Sequence, residues 1–429
     1  MTPAQRACIA LTVGVASLAG LSALAVASRS NMRTLPPSFC STVSFTGPSS
    51  PDYLIVSDLA EQNRSAIVLR MVAAIKFVLA QHHFKAGRYS IGYQSCDDST
   101  PRSRAGDFAK CAANAKAYAA DPNVIGVIGA WNSTCSSVEL PILGRAPSGP
   151  LALISPTNTA PGLTHASGGS APGEPGRYYP SGKRNFVRLV GPDDFQGAAA
   201  AERAAQLGLH RVFVLDDAEP YGLDVAGGFK RAARHLRLPL AGSASWNVSQ
   251  TTFGALANRV ARAHPDGVLL AGFACPGCAA LIKALRVRVP SARLFADDGF
   301  QPADALVQAI GAGTDGIFLT QPGLPPDRFG ALGQELQRKF GKTFIIEAGG
   351  APVAAQAAEA LLDAIAHSDG TRSSVTTHLL ADRVHGGILG DFSFDRYGDM
   401  TPSPITVTRI EHGREVADRV IFVPSRLVH

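Results

Sequence analysis

Apolar positions recur along this chain in two alternating rhythms. Short, unbroken apolar runs at 53–57, 89–93, 124–128 and 151–154 read as buried strands. Longer segments between them carry apolar residues at helical spacing. Ile67, Met71, Ala74, Ile75 and Val78 mark one face of a helix over 65–81. An Ala-rich stretch at 107–120 and a short one at 136–143 predict two more helices. A Gly/Pro-rich loop at 160–183 then interrupts the rhythm. It restarts with an extended piece at 185–190. Helices are expected at 195–207, 221–236, 252–264 and 278–287, with strands at 212–215, 241–246, 267–271 and 293–296. Helices at 327–340 and 352–367 follow, and 405–410 with 419–422 reads as a β-hairpin. Such alternation predicts an α/β fold of parallel sheets with helices on both faces. Two runs of strands predict two lobes rather than one long sheet.

The N-terminal segment is different. Residues 7–27 form an uncharged run, preceded by Arg6 and followed by Arg29 and Arg33. Ala25-Val26-Ala27 fits the small-residue site of a secretory signal cleaved before Ser28. The run is also long enough to span a bilayer as an uncleaved anchor. Both readings put the body outside the cytoplasm. A Pro/Ser-rich lead over 28–51 precedes the first strand.

Composition narrows the classes. Apolar residues at 46% argue against a disordered chain. Net charge is +6, yet no basic run interleaved with aromatics is present, which argues against nucleic acid as a partner. Of seven cysteines, Cys8 falls in the leader run. Cys40, Cys96, Cys111, Cys135, Cys275 and Cys278 remain, an even number that suggests disulfides in an oxidising compartment.

Ligands of open parallel sheets bind beyond the carboxyl ends of the strands. Here those ends are rich in Ser, Thr, Asn and Asp. Asn132 and Ser133 immediately precede a helix, where hydroxyl, amide and free N–H groups make an anion site, or simply a helix cap. Thr159 offers a second hydroxyl or a local turn. Asp298, before Gly299, faces a cation or stabilises the turn. Together they describe a cleft with an anion end and a cation end, which suits a zwitterion such as an amino acid. No GxSxG, HExxH or P-loop occurs, so no enzyme, cofactor or metal centre is expected. Cys275-Pro276-Gly277-Cys278 is the one redox-like motif. Without a thioredoxin-like setting it reads as a small structural disulfide ahead of a thiol oxidoreductase.

Several stretches resemble the type I periplasmic solute-binding proteins of the branched-chain amino acid (leucine/isoleucine/valine) family. They are Val127-Ile128-Gly129-Ala130-Trp131-Asn132-Ser133, Ile154-Ser155-Pro156-Thr157-Asn158-Thr159 with Leu163-Thr164, and Val187-Arg188 with Asp194-x-Gln196-Gly197. Val214-Leu215-Asp216-Asp217 with Tyr221-Gly222, and Phe394-Asp395-x-x-Gly398-Asp399, complete the set. The resemblance runs from about Tyr53 to about Pro424. It implies two Rossmann-like lobes joined by three crossovers, near 190–193, 319–322 and 395–399, that close on a ligand. Lobe one would comprise 52–190 plus 321–394, and lobe two 191–320 plus 395–429.

The resemblance also assigns roles. Ser133 would hold the ligand carboxylate beside Asn132, with Thr159 as a second hydroxyl. The Asn158 carbonyl and the Asp298 carboxylate would meet the ammonium, and Tyr221 would pack over the ligand. Trp131 and Phe273 are candidate pocket walls. Around 273–275 the family's tyrosines are replaced by Cys-Pro-Gly-Cys, and Asp298 stands where leucine binders carry Glu. Cys96 or Cys111 is expected to pair with Cys135, Cys275 with Cys278, and Cys40 with the cysteine left over. The implied function is the extracytoplasmic binding component of an ABC importer, a monomer that delivers a small solute to a membrane permease. A sensing receptor domain of the same fold is the alternative.

Overall fold

This computed structural model describes residues 35–428 apart from 37, 64–65, 104–105 and 341–349. The leader run at 7–27 lies outside the described residues.

The first half of the chain builds one layered unit. Its elements are β1 (Tyr53–Leu59), α1 (Ala66–Gln81), β2 (Lys85–Ala86), β3 (Tyr89–Asp97), α2 (Phe108–Ala120), β4 (Val124–Gly129), α3 (Ser133–Leu143), β5 (Ala152–Ser155) and β6 (Phe186–Arg188). Among the described residues these strands form one sheet in the order β2-β3-β1-β4-β5-β6, parallel except for β2. All seven residues of β1 and all six of β4 are buried, as expected of strands covered on both faces. Alternate residues serve opposite layers. Ile55 and Leu59 pack with Met71 and Ile75 of α1, whereas Leu54 and Val56 pack with Tyr118 of α2 and Leu140 of α3.

A second unit follows: α4 (Asp193–Gln206), β7 (Val212–Asp216), α5 (Pro220–Leu236), β8 (Leu240–Ser245), α6 (Gly254–Arg262), β9 (Gly267–Ala271), α7 (Cys278–Arg288), β10 (Arg293–Ala296), α8 (Ala303–Ile310) and β11 (Phe318–Pro322). The chain then returns to the first unit. There α9 (Ala331–Phe340), α10 (Ala351–His367) and α11 (Arg372–Ala381) precede a small antiparallel sheet of β12 (Arg383–Gly387), β13 (Gly390–Phe394) and β14 (Met400–Thr401). Residues of α10 and of this sheet share the first unit's core with Ile55 and Met71. Last come β15 (Pro404–Glu411) and β16 (Arg414–Phe422), which complete the second sheet in the order β16-β15-β11-β10-β9-β7-β8. Both residues of their turn, His412 and Gly413, have positive φ (51° and 71°), the backbone a tight two-residue hairpin requires. The fold is thus two α/β lobes, as the alternation predicts.

The differences are instructive. Helix α3 starts at Ser133, three residues before the apolar spacing suggests, because Asn132 caps it. β11 was not anticipated, since its Thr320 and Gln321 break the apolar run. Both are buried between β10 and β15, where Gln196 accepts from Thr320 and Glu415 accepts from Gln321. The lead over 28–51 is pinned down where it is described. Cys40 is bonded to Cys96, Ser44 bridges Tyr93, and the Gln94 side chain receives the Leu35 N–H and donates to the Ser41 carbonyl.

Candidate functional site

At the end of β4 the backbone of Gly129 runs so close to β1 that a Cβ would lie 2.5 Å from the Asp58 carbonyl oxygen. That close approach requires glycine and sets the turn through Ala130 and Trp131 into α3. Asn132 caps α3 by accepting the Cys135 N–H at 2.8 Å, and Ser133 is the first helical residue. Its hydroxyl accepts the Ala160 N–H at 3.2 Å, joining α3 to the loop after β5. Asn158 is fully buried and donates its amide to the Ala130 carbonyl at 3.0 Å. Its own carbonyl accepts from Arg188 at 3.3 Å. Ser133, Asn158 and Thr159 are therefore brought together on lobe one. The Cys111–Cys135 disulfide ties α2 to the first turn of α3. Trp131 is half-buried at the margin of the first core, and its carbonyl accepts from Thr157 and Asn158.

The second-lobe residues form their own group. Tyr221, in the first turn of α5, donates its hydroxyl to Asp298 and receives the Gly299 N–H at 3.2 Å. Asp298 also accepts the Gln196 amide at 2.8 Å. The ring of Tyr221 stacks on Phe273, with centroids 4.4 Å apart and planes inclined by 26°. Phe273 stands beyond the carboxyl end of β9 and is 56% exposed. Burial raises the Asp298 carboxyl above the ordinary range, against the bonds from Tyr221 and Gln196 that lower it.

Asp194-x-Gln196-Gly197 carries no role in the family resemblance. Here the first turn of α4 connects the two groups. Asp193 donates its backbone N–H to the Thr159 carbonyl at 2.9 Å, and Gln196 reaches the carboxylates of both Asp193 (3.4 Å) and Asp298 (2.8 Å). Burial, and then the neighbouring Asp298, hold the Asp193 carboxyl well above its usual range. An acidic residue one place before the quoted motif was the available signal. Arg188 was also given no role. It is fully buried and reaches Asp399 at 2.6 Å and the Ala160 carbonyl at 2.8 Å, so it orders the Asn158–Ala160 loop from below.

Chemically, one side presents a hydroxyl at a helix N-terminus, which suits an anion. The other presents a partly buried carboxylate beside an aromatic pair, which suits a cation with an apolar body. A model of the periplasmic binding protein family matches residues 71–415. The chain belongs to that family. Family membership implies a place outside the cytoplasm, and no helix among the described residues is long and apolar enough to cross a membrane. Among solved structures, the leucine binding protein LivK of Thermotoga maritima is similar at 20% identity, with a TM-score of 0.65 over 86% of this chain and 98% of that one. An ABC transporter substrate-binding protein of Desulfitobacterium hafniense, solved in complex with Leu, is 19% identical, with a TM-score of 0.66 over 85% and 99%. A solute binding protein of R. palustris, solved in complex with benzoate, is 16% identical, with a TM-score of 0.61 over 86% and 95%. No curated protein sequence matches the chain.

All six body cysteines are paired: Cys40 with Cys96, Cys111 with Cys135, and Cys275 with Cys278. Of the alternatives for Cys135, the structure selects Cys111.

Proposed function

We propose that this chain is the extracytoplasmic substrate-binding component of an ABC importer and takes an amino acid between its lobes. Ser133 and the first turn of α3, with Asn132 and Thr159, receive the ligand carboxylate. Asp298, with the Asn158 carbonyl, receives its ammonium. Tyr221, Phe273 and Trp131 face its side chain. The lobes in this reading are 52–190 with 323–401, and 191–322 with 402–429, because β11 completes the second sheet and β14 packs in the first unit. They close because the closed form binds ligand better than the open one. The closed monomer then docks on a membrane permease.

The observation that carries this reading is Asp298. It is a partly buried carboxylate held in place by Tyr221 and Gln196 on one lobe, while the capped start of α3 with Ser133 lies on the other. Those partners are neutral, so the carboxylate is oriented while its charge is left for a ligand cation. The neighbours solved with Leu and with benzoate frame the choice, because benzoate brings no cation for Asp298. The test is calorimetry with leucine, isoleucine, glycine and other amino acids, against benzoate and 4-hydroxybenzoate. Amino acids bind, and Asp298→Asn weakens them by roughly thirtyfold or more, the scale expected when one partner of a buried charge pair is removed. Binding of aromatic acids alone, or of nothing in the panel, overturns the assignment.

A further inference from the structure

The Cys275-Pro276-Gly277-Cys278 segment is the part of the cleft that amino acid binding leaves unexplained. It connects β9 to α7, and the exposed ring of Phe273 stands two residues before Cys275. The far end of this connection is fixed. A Cβ on Gly277 would come within 2.1 Å of the Gln250 carbonyl, and Cys278 is buried as the first residue of α7. The near end is held by two bonds of 2.9 Å, from the Phe273 N–H to the Asp217 carboxylate and from the Ala274 N–H to the Gly299 carbonyl. Between the two ends the Cys275–Cys278 bond draws the loop tight, with Cα atoms 5.0 Å apart. The Cys278 sulfur lies 3.9 Å from the Phe273 carbonyl, so the bond is tied to the backbone that carries the aromatic ring.

The three disulfides differ in access. Cys40, Cys96, Cys111 and Cys135 are all 6% exposed or less. Cys275 is partly exposed, while Cys278 is buried. Cys278 is the first residue of α7, where the helix dipole favours a thiolate. A stabilised thiolate is also the faster leaving group in exchange. Exposure of the attacked sulfur and stabilisation of the departing one coincide at this bond.

We propose that the Cys275–Cys278 disulfide positions the Phe273 wall of the ligand cleft, and that an extracytoplasmic dithiol opens this bond selectively and releases the wall. The inference rests on the cleft reading given above. The thiolate of the dithiol attacks the Cys275 sulfur, a mixed disulfide forms, and Cys278 departs as thiolate. The second thiol of the reductant attacks the mixed disulfide and frees Cys275. Two electrons pass to the protein, the reductant leaves as its disulfide, and its two protons end on the freed cysteines. With the link open, the loop around Phe273 loses its preorganisation. Ligands that pack a side chain on the ring then bind more weakly, and ligands without one are unaffected.

The experiment uses the protein with all three disulfides formed and a limited exposure to dithiothreitol. Differential alkylation with mass spectrometry reports which bond opens, and Cys275 and Cys278 are labelled before the other four cysteines. Hydrogen exchange over 272–278 increases on reduction. In calorimetry leucine weakens roughly tenfold, the scale of lost loop and side-chain preorganisation, while glycine changes less than about twofold. A Cys275→Ser/Cys278→Ser variant shows the same leucine–glycine split without reductant. Earlier opening of either buried disulfide, unchanged exchange over 272–278, or equal weakening of leucine and glycine overturns the inference. If leucine does not bind the oxidised protein, the cleft reading fails, while labelling and exchange still decide the behaviour of this disulfide.

Discussion

His165 holds two acids at once. Its Nε2 is 2.9 Å from Asp194 and its Nδ1 is 3.2 Å from Asp399, which in turn pairs with Arg188. Burial disfavours the imidazolium, but the two acids outweigh it and raise His165 to about 9. Burial likewise pushes Asp399 up, and Arg188 and His165 outweigh it, holding that carboxyl far below its ordinary range. An unfolded histidine titrates near 6.5. The raised folded value means that the contribution of His165 to stability is complete below about pH 6.5 and is lost as pH climbs through about 9. Urea midpoints across this window fall for the native protein, and His165→Gln flattens that decline. Removing one partner of the buried Arg188–Asp399 pair is more severe. Asp399→Ala costs about 3–5 kcal/mol in the same assay, because Arg188 is left buried and unpaired. Strand-end position marks the loops that hold Ser133, Thr159 and Asp298, together with Asp98, Asp217 and Asp297. His165 was not legible, because its partners lie 29 and more than 200 residues away in sequence and only the finished fold supplies them.

Helix α3 has a second polar end-use besides its capped start. Glu139, on its buried side, sits with Asp58 of β1 and with Asp98 just past β3, beside Asn114 and Tyr118 of α2. Asp98 is raised by burial, and then by Asp58, to about 8. Burial raises Glu139 well above its ordinary value too. These acids keep protons in the folded state that the unfolded chain releases near pH 4. Their stabilisation is therefore complete below about pH 4 and is lost as pH rises toward about 8. Melting temperatures between pH 5 and 8.5 read this directly, and Asp98→Asn reduces the decline. At the level of elements the apolar rhythm located most strands and helices. It passed over α8, α11 and the small sheet of β12–β14. Each is short, and β12 carries few apolar residues and has none buried, so no periodic apolar face marks it in the sequence.

The two lobes meet where Arg188, Asp193 and Asp399 cluster, and the chain passes between sheets after β6, after β11 and after β14. Closure around a ligand at that junction makes the molecule smaller. Small-angle scattering on adding leucine therefore shows a reduced radius of gyration, and Asp298→Asn shows none at the same concentration. The two-lobe plan was legible from the interrupted alternation at 160–183 and from the motifs on either side. The completion of each sheet was not, because β11 takes its outer neighbour from residues near the C-terminus, with Phe318 beside Arg409. That late pairing sets an order in time. A ribosome releases residues 318–322 long before 404–422, so β11 stands as an open, buried-type edge until the tail arrives. A chain halted before Pro404 keeps that edge bare and joins other chains through it. The last strands thus decide when the second lobe stops being adhesive.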